Sequence, residues 1–123
     1  MNNYIKDNMH NKNIGKYGED IAAKYLISLG YTIITRNYLT KKGEIDIIAK
    51  DKKEIVFVEV KTRLSKKFGE PCEAVTDYKI KHFVEAAKYY VYYNKLYNSD
   101  LRFDVIEVFK SENNRINHFK QII

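Results

Sequence analysis

Two short apolar runs, separated by a polar turn and each interrupted by charge, constrain this chain more than any other feature. Gly43 opens the first run, Glu44-Ile45-Asp46-Ile47-Ile48-Ala49. The chain turns through Lys50-Asp51-Lys52-Lys53, and the second run is Glu54-Ile55-Val56-Phe57-Val58-Glu59-Val60-Lys61. Both are rich in β-branched residues and read as strands, and so short a turn makes them pair antiparallel. Side chains alternate between the two faces of a strand. In the second run Val56, Val58 and Val60 share one face, while Ile55, Phe57, Glu59 and Lys61 share the other. In the first, Glu44, Asp46 and Ile48 share one face, and Ile45, Ile47 and Ala49 the other.

Folding that hairpin about Asp51 to Lys53 brings Asp46 opposite, or diagonal to, Glu59. Directly opposed residues have Cβ atoms about 5 Å apart. Two carboxylates that close repel each other unless a cation neutralises them. Lys61 supplies part of that charge. A divalent metal would supply more, and oxygen ligands of this kind suit Mg²⁺ or Mn²⁺. Two acids, a lysine and an open metal position make a site for phosphodiester hydrolysis. The plain alternative is a weak cross-strand ion pair between Glu59 and Lys61. Asp46, set in an otherwise apolar stretch, argues against it, because a half-buried acid is costly without a compensating partner.

The rest of the chain supplies the scaffold. Ile14, Tyr17, Ile21, Tyr25 and Leu29 fall at helical spacing, with Asn13 as a plausible N-cap and Gly30 as a stop. Tyr31 to Tyr38 reads as a strand. Thr76 or Asp77 can cap a second helix running to about Asn98, with Ile80, Phe83, Val84, Ala87 and Val91 as its core stripe. Strands at Leu101 to Phe109 and Arg115 to Ile123 close the chain. Helix, three strands, helix and two strands make an α/β class with a mixed sheet and helices packed on it. Residues 1–13, rich in asparagine and without an apolar period, read as a disordered N-terminal tail. Residues 14–123 read as one domain, since the chain of 123 residues has the length of an ordinary single domain.

Charge and cysteine content exclude several classes. Lys and Arg number 22 against 16 Asp and Glu, a formal net charge of +6, which favours an anionic partner such as DNA. The lone Cys72 excludes an internal disulfide framework and a cysteine-rich zinc site. No apolar stretch approaches the roughly 18 residues needed to span a bilayer, and no signal core opens the chain. The expectation is a cytoplasmic protein without a membrane partner or an organic cofactor.

The run Gly43 to Ala49, followed by Val56-Phe57-Val58-Glu59-Val60-Lys61-Thr62-Arg63, resembles the PD-(D/E)xK nuclease superfamily. It is most similar to the small bacterial YraN-like branch. The segments Gly15 to Ala22, Gly69 to Lys79 (Ala74, Val75 and Lys79 especially) and Arg102-Phe103-Asp104-Val105-Ile106 are similar to that branch too, so the likeness covers nearly everything after residue 13. Ile45 stands where the motif's namesake proline would. The resemblance implies a restriction-endonuclease-like αβββαβ core, with Asp46 and Glu59 as metal ligands and Lys61 as the catalytic lysine. In Holliday-junction resolvases of the same superfamily a glutamate on the first helix completes the site. Glu19 holds that place here, on the flank of the apolar stripe and in register with Leu26 two turns on, where it could reach the sheet edge. An ordinary solvated helix acid is the alternative.

Basic residues bracket the acidic centre: Lys41 and Lys42 before it, Arg63 just after Lys61, Lys66 and Lys67 in the next loop. They would border the site as a rim for a phosphate backbone, or else lie scattered on the surface. Lys79, early in the second helix, would touch phosphate or solvent. Of 11 tyrosines, Tyr89, Tyr93 and Tyr97 form an i, i+4 row off the core stripe. A homodimer contact, base stacking, or packing on the last strands or N-terminal tail would each account for it. His10, His82 and His118 have no metal-ligand spacing and receive no chemistry. Asp104 is a spare acid expected to pair with Arg102 or Arg115. Three functions follow: a metal-dependent endonuclease acting on DNA, with branched or structured DNA as one candidate substrate; a nucleic-acid-binding module with the same fold and little or no catalysis; and a protein-interaction factor using the tyrosine face. The intact Asp46, Glu59, Lys61 set favours the first.

Overall fold

A tight turn at Lys52 and Lys53 brings Asp51 opposite Glu54, and everything else is arranged around the hairpin this creates. In the computed structural model the backbone is described for residues 3–64 and 76–123, and side chains from Asn13 onward within those limits. The elements in chain order are α1 (Asn3–Ser28), β1 (Thr32–Leu39), β2 (Glu44–Asp51), β3 (Glu54–Arg63), α2 (Asp77–Tyr93), β4 (Asp100–Phe109) and β5 (Arg115–Phe119). They form one five-stranded sheet in the order β1-β2-β3-β4-β5. Neighbours are antiparallel except β3 and β4, which run parallel because α2 carries the chain across between them. The expected αβββαβ core, a mixed sheet flanked by helices, is the architecture observed.

Each helix covers one face of the sheet. Under α1, Ala22, Ala23 and Leu26 meet Ile47, Ala49, Val56, Val58, Ile106 and Val108. Under α2, Phe83, Ala86, Ala87 and Tyr90 meet Ile45, Ile48, Ile55 and Phe57. The small residues let both helices come close. At Gly18 an added Cβ would lie 1.8 Å from Thr62 Oγ1, and at Gly43 it would lie 2.6 Å from the His82 carbonyl oxygen. Gly43 therefore sets how near the β1–β2 turn can approach α2.

Several boundaries differ from the sequence expectation. Helix α1 begins at Asn3, not at Ile14, so the disordered tail expected over residues 1–13 does not match the backbone from Asn3 onward. An apolar stripe is needed only where a helix packs; once nucleated, it adds further residues at little cost each. At the other end Gly30 stops the helix as expected, with φ 92° and with Tyr31 N–H donating back to the Leu26 carbonyl. Thr76 caps α2 by accepting from the Lys79 amide, but α2 ends at Tyr93, short of Asn98. Its buried face is Phe83, Ala86, Ala87 and Tyr90, rotated from the expected stripe. Strand β5 stops at Phe119.

Beneath α1, a buried polar cluster ties the last strands to the sheet. Asp104, wholly buried, accepts from Arg102 Nε at 3.0 Å, from His118 Nε2 at 2.7 Å and from the Gln121 amide at 3.1 Å. Arg102 also donates to Asp51, Glu54 and the Tyr31 hydroxyl, and the Tyr25 hydroxyl donates to His118 Nδ1. Asp104 thus pairs with Arg102 and not with Arg115, which bonds Glu112. Burial by itself raises the Asp104 carboxyl, but the bonds from His118, Arg102 and the Gln121 amide hold it below its ordinary value.

Candidate active site

The acidic site sits where β2 and β3 part. Their ladder runs from Asp51–Glu54 to Ile47–Val58, and the next position on each strand holds Asp46 and Glu59. Here the Asp46 carboxylate accepts a hydrogen bond from the Val60 amide at 2.8 Å. Strand alternation also breaks at this point. Ile47 and Ala49 belong to the core under α1, whereas Ile45 and Ile48 belong to the core under α2. On β1, Asn37 lies between the Arg36–Ile47 and Tyr38–Ile45 pairs and has φ 55°. Asparagine tolerates this left-handed conformation better than most residues. As a result Asp46 lines a cavity under α1 with Gly15, Lys16, Glu19, Arg36, Glu44 and Val60. Glu59 and Lys61 line a second hollow, against α2. The expectation that Asp46 shares the Ile48 face is therefore corrected, while its juxtaposition with Glu59 stands.

The electrostatics of the pair are unbalanced. Burial, then the Glu59 charge, pushes the Asp46 carboxyl up to about 8, against the opposing bond from the Val60 amide. Burial also raises Glu59, opposed by Lys61 and by a hydrogen bond with Asp46. Lys61 Nζ stands 3.5 Å from Glu59 Oε1. Both carboxyls are thus pushed toward their protonated forms, and a cation would favour the charged forms instead.

Glu19 is 7% exposed and lines the same cavity as Asp46, so it is not a solvated helix acid. Its carboxylate accepts from Arg36 Nε at 2.9 Å, and Arg36 also bridges to Asp20 at 2.6 Å. Arg36 went unnoticed in the sequence because nothing marks a strand arginine as a partner for two helix acids. Among the described residues no three His, Cys, Asp or Glu side chains converge as a metal-holding group. The donor set is the Asp46–Glu59 pair, with Glu19 alongside and held by Arg36.

The basic rim is partly assembled. Lys41, Lys42 and Lys79 line the hollow that contains Glu59 and Lys61. Thr40 shapes that turn: its hydroxyl accepts from the Lys42 and Gly43 amides and donates to the Gly43 carbonyl. Arg63 is occupied by Glu107 at 3.1 Å. Lys66 and Lys67 lie outside the described residues, as do Cys72, Ala74 and Val75. The tyrosine row is also corrected. Tyr97 falls beyond the end of α2 and its hydroxyl donates to the Tyr92 carbonyl. Tyr89 and Tyr93 stack on each other, and Tyr78 with His82 extends their face toward the acidic site. His82 donates from Nδ1 to the Lys42 carbonyl. The spacing of Tyr78 and His82 to Tyr89 and Tyr93 was present in the sequence as a helical stripe.

Among the described residues no helix is long and apolar enough to cross a membrane. Residues 18–108 match the family model described as uncharacterised protein family UPF0102. A UPF0102 protein of Clostridioides difficile (strain 630) is 53% identical over 110 residues, which cover 89% of this chain and 96% of that relative. A UPF0102 protein of Clostridium novyi (strain NT) is 49% identical over 98 residues, 80% of this chain and 82% of its own. One from Caldicellulosiruptor saccharolyticus is 46% identical over 108 residues, 88% of this chain and 92% of its own.

Proposed function

From the premise that this chain belongs to the uncharacterised protein family UPF0102, we propose that it is a metal-dependent endonuclease of the PD-(D/E)xK superfamily that hydrolyses DNA phosphodiester bonds, with branched or otherwise structured DNA as the favoured substrate. One observation carries this reading: two half-buried carboxylates, Asp46 and Glu59, stand at the point where β2 and β3 part, with Lys61 beside the second. As structure alone, such a pair is a liability.

The donor set fits Mg²⁺ or Mn²⁺, which take one or two carboxylate ligands and leave other positions to water and phosphate oxygens. Asp46 and Glu59 would hold the ion, and Glu19 is the third candidate once Arg36 releases it. When bound, such an ion polarises a phosphoryl oxygen and makes a bound water more acidic. Lys61, tethered by Glu59, stabilises negative charge developing on the phosphoryl group or orients the attacking water. The Val60 amide holds the Asp46 carboxylate in place. Lys41, Lys42 and Lys79 carry backbone phosphates toward this point, which gives salt-sensitive binding without sequence preference.

The test uses labelled single-stranded, duplex, flapped and four-way-junction DNA with Mg²⁺, Mn²⁺ or EDTA. Metal-dependent cleavage is expected, reduced roughly a hundredfold or more in Asp46→Ala and in Lys61→Ala. Binding to every substrate without cleavage would instead indicate a non-catalytic nucleic-acid module. Neither binding nor cleavage would point to a protein partner.

A further inference from the structure

The aromatic face of α2 and the acidic site open into one another. The hollow beside Glu59 and Lys61 and the one beside Tyr89 and Tyr93 share Thr40 and Lys41 as a common wall. Along α2, Tyr78, His82, Tyr89 and Tyr93 fall within an arc of about 60° on a helix of roughly 3.6 residues per turn, so they form one stripe above the β1–β2 turn. The Tyr89 and Tyr93 rings lie nearly parallel, 14° apart in plane with centroids 6.2 Å apart. Tyr78 packs edge-on to His82 at 4.2 Å and is 71% exposed, and Tyr93 is 68% exposed. Rings and amines therefore line a groove made of two adjoining hollows: Tyr78, Lys42, Lys61 and Lys79 in the one beside Glu59, Tyr89 and Tyr93 in the other, and Lys41 in both.

We propose that this groove binds a single-stranded arm of the DNA, with unpaired bases stacked on Tyr78 and on the Tyr89–Tyr93 pair and the backbone following the lysines to Glu59 and Lys61. The inference rests on the nuclease reading and narrows its substrate to DNA in which a single strand leaves a duplex. Aromatic side chains accept any base by its face, while amines track the backbone. An intact duplex keeps its base faces stacked on each other and offers none to the rings, so the groove selects by strandedness. A second copy of the chain is the weaker occupant, because covering these rings would also bury Lys41 and Lys42, and charged residues are depleted from interface cores.

Binding is measured by fluorescence anisotropy in EDTA, so that it is independent of cleavage. The probes are a labelled oligothymidylate, an abasic oligomer of equal length and a blunt duplex. The oligothymidylate is expected to bind roughly tenfold or more tightly than the abasic oligomer. The Tyr89→Leu/Tyr93→Leu variant should lose that margin while binding the abasic oligomer as before, and Tyr89→Phe/Tyr93→Phe should keep it. Thermal unfolding of both variants checks that α2 remains folded. Equal affinity for the two single strands, or an unchanged margin in the leucine variant, overturns the proposal and leaves the nuclease reading intact if metal-dependent cleavage persists. A dimeric wild type that becomes monomeric in the leucine variant overturns it in favour of a second copy. Base-dependent binding with no cleavage of any substrate supports the groove and overturns the nuclease reading instead.

Discussion

Two aspartates flank the same strand, β3, one buried and one half-buried, and their environments are opposites. Asp104 on β4 is wholly buried, yet Arg102, His118 and a backbone amide hold it below its ordinary carboxyl value. Asp46 on β2 is less deeply set, yet burial and then the Glu59 charge drive its carboxyl up to about 8. Every buried polar side-chain atom among the described residues has a partner, so the contrast does not arise from a missing hydrogen bond. It lies in what meets the burial: donors from His118, Arg102 and Gln121 outweigh it at Asp104, while the Glu59 charge adds to it at Asp46. One cluster is complete within the chain and ties β4, β5 and the β2–β3 turn together. The other sets two acids side by side with Lys61 as partial compensation at Glu59. Strongly perturbed acids of the second kind are candidates for a functional site, which is the role proposed for Asp46.

The largest expected effect breaks the completed cluster. Asp104→Ala leaves Arg102 and His118 buried beside a void, and removing one member of such a set costs about 3–5 kcal/mol. Urea unfolding of the variant should register that loss. A cost below about 1 kcal/mol would mean that Asp51 and Glu54 alone suffice for Arg102, and the cluster would no longer count as a structural tie.

A smaller effect of opposite sign sharpens the contrast. The folded Asp46 carboxyl binds its proton more tightly than in the unfolded chain, where the ordinary value is 3.8. Between those two pH values the folded state holds more protons, so metal-free stability falls as pH rises from about 4 to about 8. Asp104 runs the other way: its contribution is present above the ordinary carboxylate range and is lost as pH falls through its lowered folded value. Asp46→Asn removes the repulsion and keeps an acceptor for the Val60 amide. It should raise metal-free stability at pH 8 by on the order of 1–3 kcal/mol and flatten the decline, while abolishing cleavage. Melting curves at pH 5.5 and 8, with and without Mg²⁺, measure this directly. An unchanged slope in the variant would remove Asp46 as its source.

The smallest effect lies at the margin of the completed cluster. Tyr25→Phe deletes the hydroxyl that donates to His118 Nδ1, a loss of about 1 kcal/mol. It should leave cleavage untouched, because Tyr25 belongs to the packing under α1 and not to either hollow at the acidic site. A cleavage defect in this variant would mean that the two clusters communicate.

Much of the fold could be read from residue periodicity. The paired strands, both helices, the Gly30 stop and the Thr76 cap all follow from local patterns, because local backbone preference and the packed face agree there. The start of α1 did not, since continuing a helix leaves no mark in the apolar spacing. Of the site, Asp46 beside Glu59 and Lys61 could be anticipated from hairpin register alone. That Glu19 is gripped by Arg36 could not, because it depends on how α1 lies across β1, which no local pattern encodes. The aromatic stripe was half visible. Helical spacing marks Tyr89 and Tyr93, but it joins Tyr97 to them only if the helix runs on past Tyr93, where it ends, and no local signal sets Tyr78 and His82 apart.

Strand β1 carries a consequence of its own. A regular strand assigns its residues by parity, odd to one side and even to the other. Strand β1 changes parity twice: its register shifts between Ile33 and Thr35, and Asn37 turns the chain through a left-handed step. The two changes cancel between Ile33, which serves the core under α1, and Tyr38, which serves the core under α2; only the stretch between them is out of phase, and there Arg36 reaches the acids of α1. Deleting a single residue from this strand would exchange which helix each following side chain serves. The constraint on β1 is one of counting: its length by the residue matters more than the identity of most of its side chains.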